Sequence, residues 1–325
     1  MKKPIVAVIC GGDSSEYEIS ISGAKYIYQQ LCSSEFLPFI VYISKKEWVV
    51  VVKECRVEID KNDFSFTFNG EKYCFDYAFI NIHGTPGENG VLQSYFDLLE
   101  IPYSSCGVDA SVITFNKMFC KRVLAGCAVA MAKDFVIAKG DAIDAPKIVE
   151  QLGLPLFVKP NNSGSSFGVT KVKAADDIEG AVEAAYSESN TVLLEQFVEG
   201  REFSQGVYSV GGEVIALPLT EIISKGEFFD YAAKYNGEST EVTPADIEQS
   251  ISLEIALQAK KIYKLLDCRG FVRIDFIVSG SCPYFIELNS VPGMSSESII
   301  PQQVAAAGMK MNDFLSQIIK NSYKI

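Results

Sequence analysis

Arg273 and Asp275 stand two positions apart in "FVRIDFIV", and Glu287 and Asn289 repeat that spacing in "YFIELNS". A β-strand sends alternate side chains to one face, so each pair shares a face, while Val272, Ile274 and Phe276 share the other. If the two strands are antiparallel neighbours, the four polar groups converge on one surface. Two carboxylates and an amide are hard oxygen donors that suit Mg²⁺, an ion that keeps waters and phosphates beside few protein ligands. A solvated sheet face is the competing reading. The four polar groups so close together and the Pro292-Gly293 stop that follows favour the ion.

A second stretch, "FVKPNNSGSSFGVTKV", ends a strand on Lys159 and enters a loop with Gly164, Ser165, Ser166 and Gly168. Small residues let backbone N–H groups approach an anion, and the lysine adds a point charge. An ordinary Gly-Ser turn would look the same. In "LLEQFVEGREF", Glu195 and Glu202 could accept from an adenine amino group or a ribose hydroxyl, and an edge-strand acid is an equal reading. "GGDSSE" is not G-x-G-x-x-G, and no G-x-x-x-x-G-K-[ST] occurs, so neither common nucleotide fingerprint applies.

These residues need elements to hold them. "PIVAVIC" reads as a buried strand, and Ser15 with Glu18 reads as a capping box that opens a helix. "LPFIVYIS" and "EWVVVV" are further strands. "FSFTFNGEKYCF" is a hairpin about Asn69-Gly70. "YAFINIHG" is a strand that breaks at His83-Gly84, and "VLQSYFDLLE" is helical. This order implies a first α/β layer domain. A second unit opens near the helical "NKMFCKRVLAGC". It sets strands "PLFVKP", "FGVTKVKA" and "TVLLEQFV" around the helix "DDIEGAVEAAYSE". A third has strands "REFSQGVYSV" and "EVIALPLTEI", a helix over 247–266, the two acid-bearing strands and a closing helix after Met311. The polar, aromatic segment 224–245 is long for a structureless loop and suits a lid that packs down.

The chain has 325 residues, 48% of them hydrophobic, enough for two or three domains. Its charge, 29 − 41 = −12, argues against a basic nucleic-acid face. Nine scattered cysteines without a C-x-x-C pair read as reduced thiols, and the single histidine excludes a multi-histidine metal site. No run of about 18 uncharged apolar residues is present, and the apolar start is too short for a leader core, which implies a cytoplasmic protein with no membrane partner.

In order along the chain, "GGDSSEYEIS", "HGTPGENG", "IPYSSCG", "VKPNNSGSSFGV", "EGREF", "FFDYAAKY", "RIDF" and "ELNSVPGMSSES" resemble the D-alanine–D-alanine ligases of the ATP-grasp superfamily. The likeness runs from Val6 to the closing helix and is least at 45–75. It implies an α/β fold, α+β in its C-terminal part, with three domains. These would be a Rossmann-like, pre-ATP-grasp unit over 1–112, a central ATP-grasp subdomain over 113–196, and a C-terminal one over 197–325 with a lid near 224–245. The implied reaction joins two D-alanines with ATP through an acyl phosphate, for peptidoglycan precursors. A homodimer is the implied assembly.

The resemblance also implies roles. Asp275, Glu287 and Asn289 would hold two Mg²⁺ ions, with Mn²⁺ an alternative. Lys117, Lys159 and Lys234 would meet phosphates, and Gly164, Ser165 and Ser166 would fold over them. Glu195 and the Val198 backbone would face adenine, and Glu202 the ribose. Glu16 would receive the first substrate's ammonium and form a trio with Ser165 and Tyr235. Arg273 and the Gly293 N–H would stabilise the oxyanion, and Ser298 would bind the second carboxylate. His83 would neighbour the first substrate with Glu88 as its partner. Tyr235 would favour the dipeptide over a D-Ala-D-lactate or D-Ala-D-Ser product. A non-catalytic nucleotide-binding protein is the reading from another class, and the intact metal ligands argue against it.

Overall fold

Strand β1 (Ile5–Gly11) is buried along its whole length, as a central parallel strand must be. In this computed structural model the described residues are 3–32, 34–162, 164, 168–224 and 239–322. Gly11 and Gly12, with φ of 105° and 91°, turn the chain from β1 into α1 (Tyr17–Cys32). A side chain at Gly12 would lie 2.6 Å from Ile82, so only glycine combines this backbone with this packing. At the helix start Ser14 Oγ accepts from the Glu16 N–H at 3.3 Å and donates to the His83 carbonyl at 2.9 Å. Buried Ser20, Gly23, Ala24, Ile27 and Leu31 form one helical stripe on α1.

Next come β2 (Leu37–Ile43), β3 (Trp48–Val52), β4 (Cys55–Glu58), the hairpin β5 (Ser65–Phe68) and β6 (Glu71–Cys74), β7 (Tyr77–Ile80) and α2 (Val91–Leu98). Five strands run in the order β4-β3-β2-β1-β7, with β1 parallel to both neighbours. Asn69 and Gly70 both have positive φ, 52° and 79°, as the two central residues of a type I′ hairpin require. β7 stops at Ile80, earlier than the apolar run suggests. The Asn81 amide still donates to the Ile9 carbonyl, and the chain then turns at Gly84 with φ 68°.

The middle of the chain holds α3 (Val108–Phe115), α4 (Lys117–Leu124), β8 (Ala130–Met131), β9 (Asp134–Ala138), α5 (Ala145–Leu152), β10 (Leu156–Pro160), β11 (Thr170–Val172), α6 (Ile178–Ala185) and β12 (Thr191–Gln196). Among the described residues β11-β10-β12-β9 form an antiparallel sheet covered by α5 and α6.

The last sheet is built from β13 (Arg201–Val210), β14 (Glu213–Ala216), β15 (Thr220–Ser224), β16 (Ser239–Val242), β17 (Phe271–Ser279) and β18 (Cys282–Asn289). Its order is β16-β15-β13-β17-β18-β8, with β14 also on β13. "EVIALPLTEI" is therefore two strands and not one. Pro218 has no N–H to give a ladder, and β14 and β15 pair with opposite ends of β13.

Chain on both sides of residue 113 packs against this last sheet. Cys106, Ala110, Cys120 and Leu124 pack with Phe203, Ile255 and Phe276 in the core beneath this last sheet, and β8 pairs with β18. The buried apolar residues of α3 and α4 are covered there. A further core joins β1, α1 and β7 to β13, β17 and the helices Ile299–Ala306 and Met311–Ser322.

Candidate functional site

β17 and β18 are antiparallel, with Asp275 opposite Glu287 and Arg273 opposite Asn289. Phe276 pairs with Phe285, which leaves Ile286 as a bulge and adjusts the twist beside the acids. Asp275 is buried and accepts from Ser204 Oγ at 2.6 Å, Arg273 Nη2 at 2.8 Å and Asn289 Nδ2 at 3.2 Å. Glu287 Oε2 lies 3.4 Å from Lys117 Nζ at the start of α4. That start is capped by Asn116, and the Met118 N–H donates to Asn161 Oδ1 beyond β10 at 2.8 Å. The four residues expected from strand periodicity are thus brought together, with Lys117 facing them.

Beside this cluster lies a cavity of about 350 Å³, lined by Glu16, His83, Glu88, Gly164, Glu241, Arg273, Asn289, Gly293, Ser295 and Ser298 among others. A crevice of about 30 Å³ lined by Lys117, Glu287, Asn289, Gly164 and Glu88 adjoins it. Gly164 belongs to both. A Cβ there would lie 2.7 Å from Glu16 Oε2, so Gly164 itself rests against the buried Glu16 carboxylate. At the other end, a Cβ on Gly293 would lie 3.0 Å from Ser298 Oγ. That hydroxyl accepts from the Ser295 N–H at 3.0 Å and is 2.8 Å from Ser295 Oγ.

His83 and Glu88 do not pair directly as expected; both contact the Val291 backbone. The peptide intervenes because β7 has ended and the chain turns between the two residues. Burial holds the His83 imidazole below its usual range, and its Nε2 has no hydrogen-bond partner among the described residues. Glu88 accepts from the Gly84 N–H at 2.8 Å. Burial, with the nearby Glu16 charge, pushes its carboxyl up to about 8.

Glu195, expected to face adenine, is buried on β12 between two lysines. Its Oε2 accepts from Lys159 Nζ at 2.6 Å, and its Oε1 from Lys121 Nζ. Burial alone would raise this carboxyl, but the two ammonium groups outweigh it and lower it to about 2. Lys121 was not anticipated; its place one turn after Lys117 on α4 was the available signal. Glu202, the second residue of β13, adds to the field at Lys159, and half-buried Val198 lies in the link between β12 and β13. Ser165, Ser166, Lys234 and Tyr235 lie outside the described residues.

Two family models match the chain, one described as D-ala D-ala ligase N-terminus over residues 5–106 and the other as D-ala D-ala ligase C-terminus over 125–320. A D-alanine–D-alanine ligase of Phocaeicola vulgatus is 45% identical over 323 residues, covering 99% of this chain and 100% of that protein. One from Porphyromonas gingivalis is 45% identical over 324 residues, covering 99% and 98%. Among solved structures, D-alanyl-alanine synthetase A from Vibrio cholerae superposes with TM-score 0.88 at 32% identity over 99% of both chains. A D-Ala:D-Ser ligase from Enterococcus faecalis reaches TM-score 0.88 at 27% identity, over 99% of this chain and 100% of that one.

Proposed function

Because the chain belongs to the D-alanine–D-alanine ligase family, we propose the following division of labour among its side chains. The protein is an ATP-grasp ligase that uses ATP to join two D-alanines for peptidoglycan synthesis. In the proposed route a carboxylate oxygen of the first D-alanine takes the γ-phosphoryl group, and the bond to ADP breaks. The second D-alanine's amine attacks the acyl carbon and gives up a proton. The tetrahedral centre then expels phosphate.

Glu16 receives the first ammonium, and Ser298 holds the second carboxylate. Arg273 and the Gly293 N–H meet the oxyanion between them, the kind of preorganised donor set that acyl transfer needs. His83 flanks the first substrate. Lys117, Lys159 and Lys234 orient phosphates, with Gly164, Ser165 and Ser166 above them. Glu195, Val198 and Glu202 face the nucleoside, and Tyr235 closes over the first substrate with Ser165 and Glu16.

Asp275, Glu287 and Asn289 would hold two Mg²⁺, or Mn²⁺. Their donor set fits: two carboxylates face each other across the ladder beside an amide. Two carboxylates and one amide leave room for an ion completed by phosphates and water. When bound, such ions supply the charge neutralisation that phosphoryl transfer needs.

The observation that carries this reading is the single cavity that gathers Glu16, Arg273, Gly293 and Ser298 from distant parts of the chain. ADP release measured with D-alanine, L-alanine, D-serine and D-lactate tests it. Release with D-alanine alone as both partners is expected; a preference for D-serine or D-lactate at the second site would reassign the product. The three-unit division, a homodimer and a cytoplasmic setting complete the proposal. Exposed Val91 and Leu98 on α2 support a dimer contact, which light scattering checks. No helix among the described residues is long and apolar enough to cross a membrane.

A further inference from the structure

Two lysines one turn apart on α4 serve opposite walls of the site. Lys117 faces Glu287 on β18, whereas Lys121 crosses to the other sheet. There it bonds Glu195 on β12 and the Ala132 carbonyl. Lys121 is only 4% exposed. An ammonium that deep is tolerated only with close, well-placed partners. Its other acidic neighbour, Asp134 at 3.5 Å, is matched by Arg122 through bonds of 2.6 and 3.2 Å. Lys121 is therefore the cation that answers Glu195.

The consequence concerns Lys159, the other partner of Glu195. Alone, Lys159 and Glu195 would be a neutral pair, with little attraction for a polyphosphate. With Lys121 the buried trio carries two positive charges and one negative, a net of 2 − 1 = +1. Lys121 also takes one carboxylate oxygen, which leaves Lys159 bonded to the other alone and aims both groups.

We propose that Lys121 is a positioning residue of the nucleotide half of the site: it fixes Glu195 and offsets its charge, so that Lys159 keeps its attraction for ATP. This rests on the reading of Lys159 and Glu195 as nucleotide-facing residues.

The test is a cycle of K121M, E195Q and K121M/E195Q, with K121R and K159M beside it, each assayed for KM of ATP, KM of D-alanine and ADP binding by calorimetry. K121M is expected to raise KM for ATP and weaken ADP roughly tenfold, within the usual range of coupling between sites. KM for D-alanine should change less than about twofold, since a purely structural loss would depress both substrates together. K121R should recover part of the loss. In the E195Q background Lys121 has no carboxylate to fix or offset, so adding K121M there should weaken ADP by clearly less than the roughly tenfold it costs alone.

That comparison also serves if K121M alone fails to fold, because removing both charges relieves the buried imbalance. A K121M protein with unchanged KM for ATP, or a double variant roughly tenfold weaker than E195Q, overturns the proposal. If K159M also leaves ATP binding untouched, the nucleotide reading itself is wrong. If K159M weakens it and K121M does not, only the role of Lys121 falls.

Discussion

Gly164 and Glu16 are in contact across the site: a methyl group on the glycine would occupy the space of the carboxylate oxygen, 2.7 Å away. The obstructed atom ends a flexible side chain, so the fold can adapt while Glu16 cannot stay where it is. Gly164→Ala should therefore melt close to wild type. Its kcat/KM for D-alanine should drop on the order of 10²-fold, the usual cost of displacing a reacting group by about 1 Å. Calorimetry and ADP release, run side by side, check both halves.

Glu287 and Asp275 face one another with Lys117 3.4 Å from the former. Glu287→Gln keeps the shape and removes a charge. The Mg²⁺ concentration needed for half-maximal ADP release should rise at least about tenfold. Chelation with EDTA should abolish turnover in both proteins. An unchanged Mg²⁺ titration would remove Glu287 from the ligand set.

Ser298 sits at the far end of the cavity, its Oγ held by Ser295 and 3.0 Å from where a Gly293 side chain would begin. Ser298→Ala removes a hydroxyl that would bond a carboxylate. The loss should be about 1.5–3 kcal/mol in kcat/KM for the second D-alanine, appearing mostly as KM. Gly293→Ala should act on the same substrate by crowding. Equal loss for both substrates would place these residues elsewhere in the mechanism.

Glu88 makes stability depend on pH in a definite direction. Its carboxyl, ordinarily near 4.5, is pushed up to about 8 by burial and by Glu16. Below 4.5 both folded and unfolded chains hold the proton. Between 4.5 and about 8 the folded chain alone holds it, so this contribution declines through that window as pH rises. Melting from pH 5 to 9 should show wild type losing several degrees more than Glu88→Gln. Parallel curves would count against a protonated Glu88.

The metal-side cluster was legible because alternation is a local rule. Once Asp275 and Asn289 are on strands, their faces follow, and the observed register supplies the convergence. The hairpin at Asn69-Gly70 was legible for the same reason. What the sequence hid was long-range. Pro218 splits a continuous apolar run only because β13 offers two separate partners. The apolar faces of α3 and α4 do not announce which sheet they will cover. Glu195 looked available to a ligand, since nothing in "LLEQF" reveals a lysine arriving from α4.

The ring of Phe314 on the helix Met311–Ser322 packs 5.2 Å from Tyr208 and 5.6 Å from Phe271, and Phe271 in turn packs 6.1 Å from Phe79 in the first sheet. Tyr77 OH also lies 3.1 Å from Ser322 Oγ. One side of β1 and β7 is thus closed by chain that a ribosome makes hundreds of residues later. Until then α1 alone, through Ala24, Ile27 and Leu31, covers that side, and the rest of its apolar surface waits through most of the chain's synthesis.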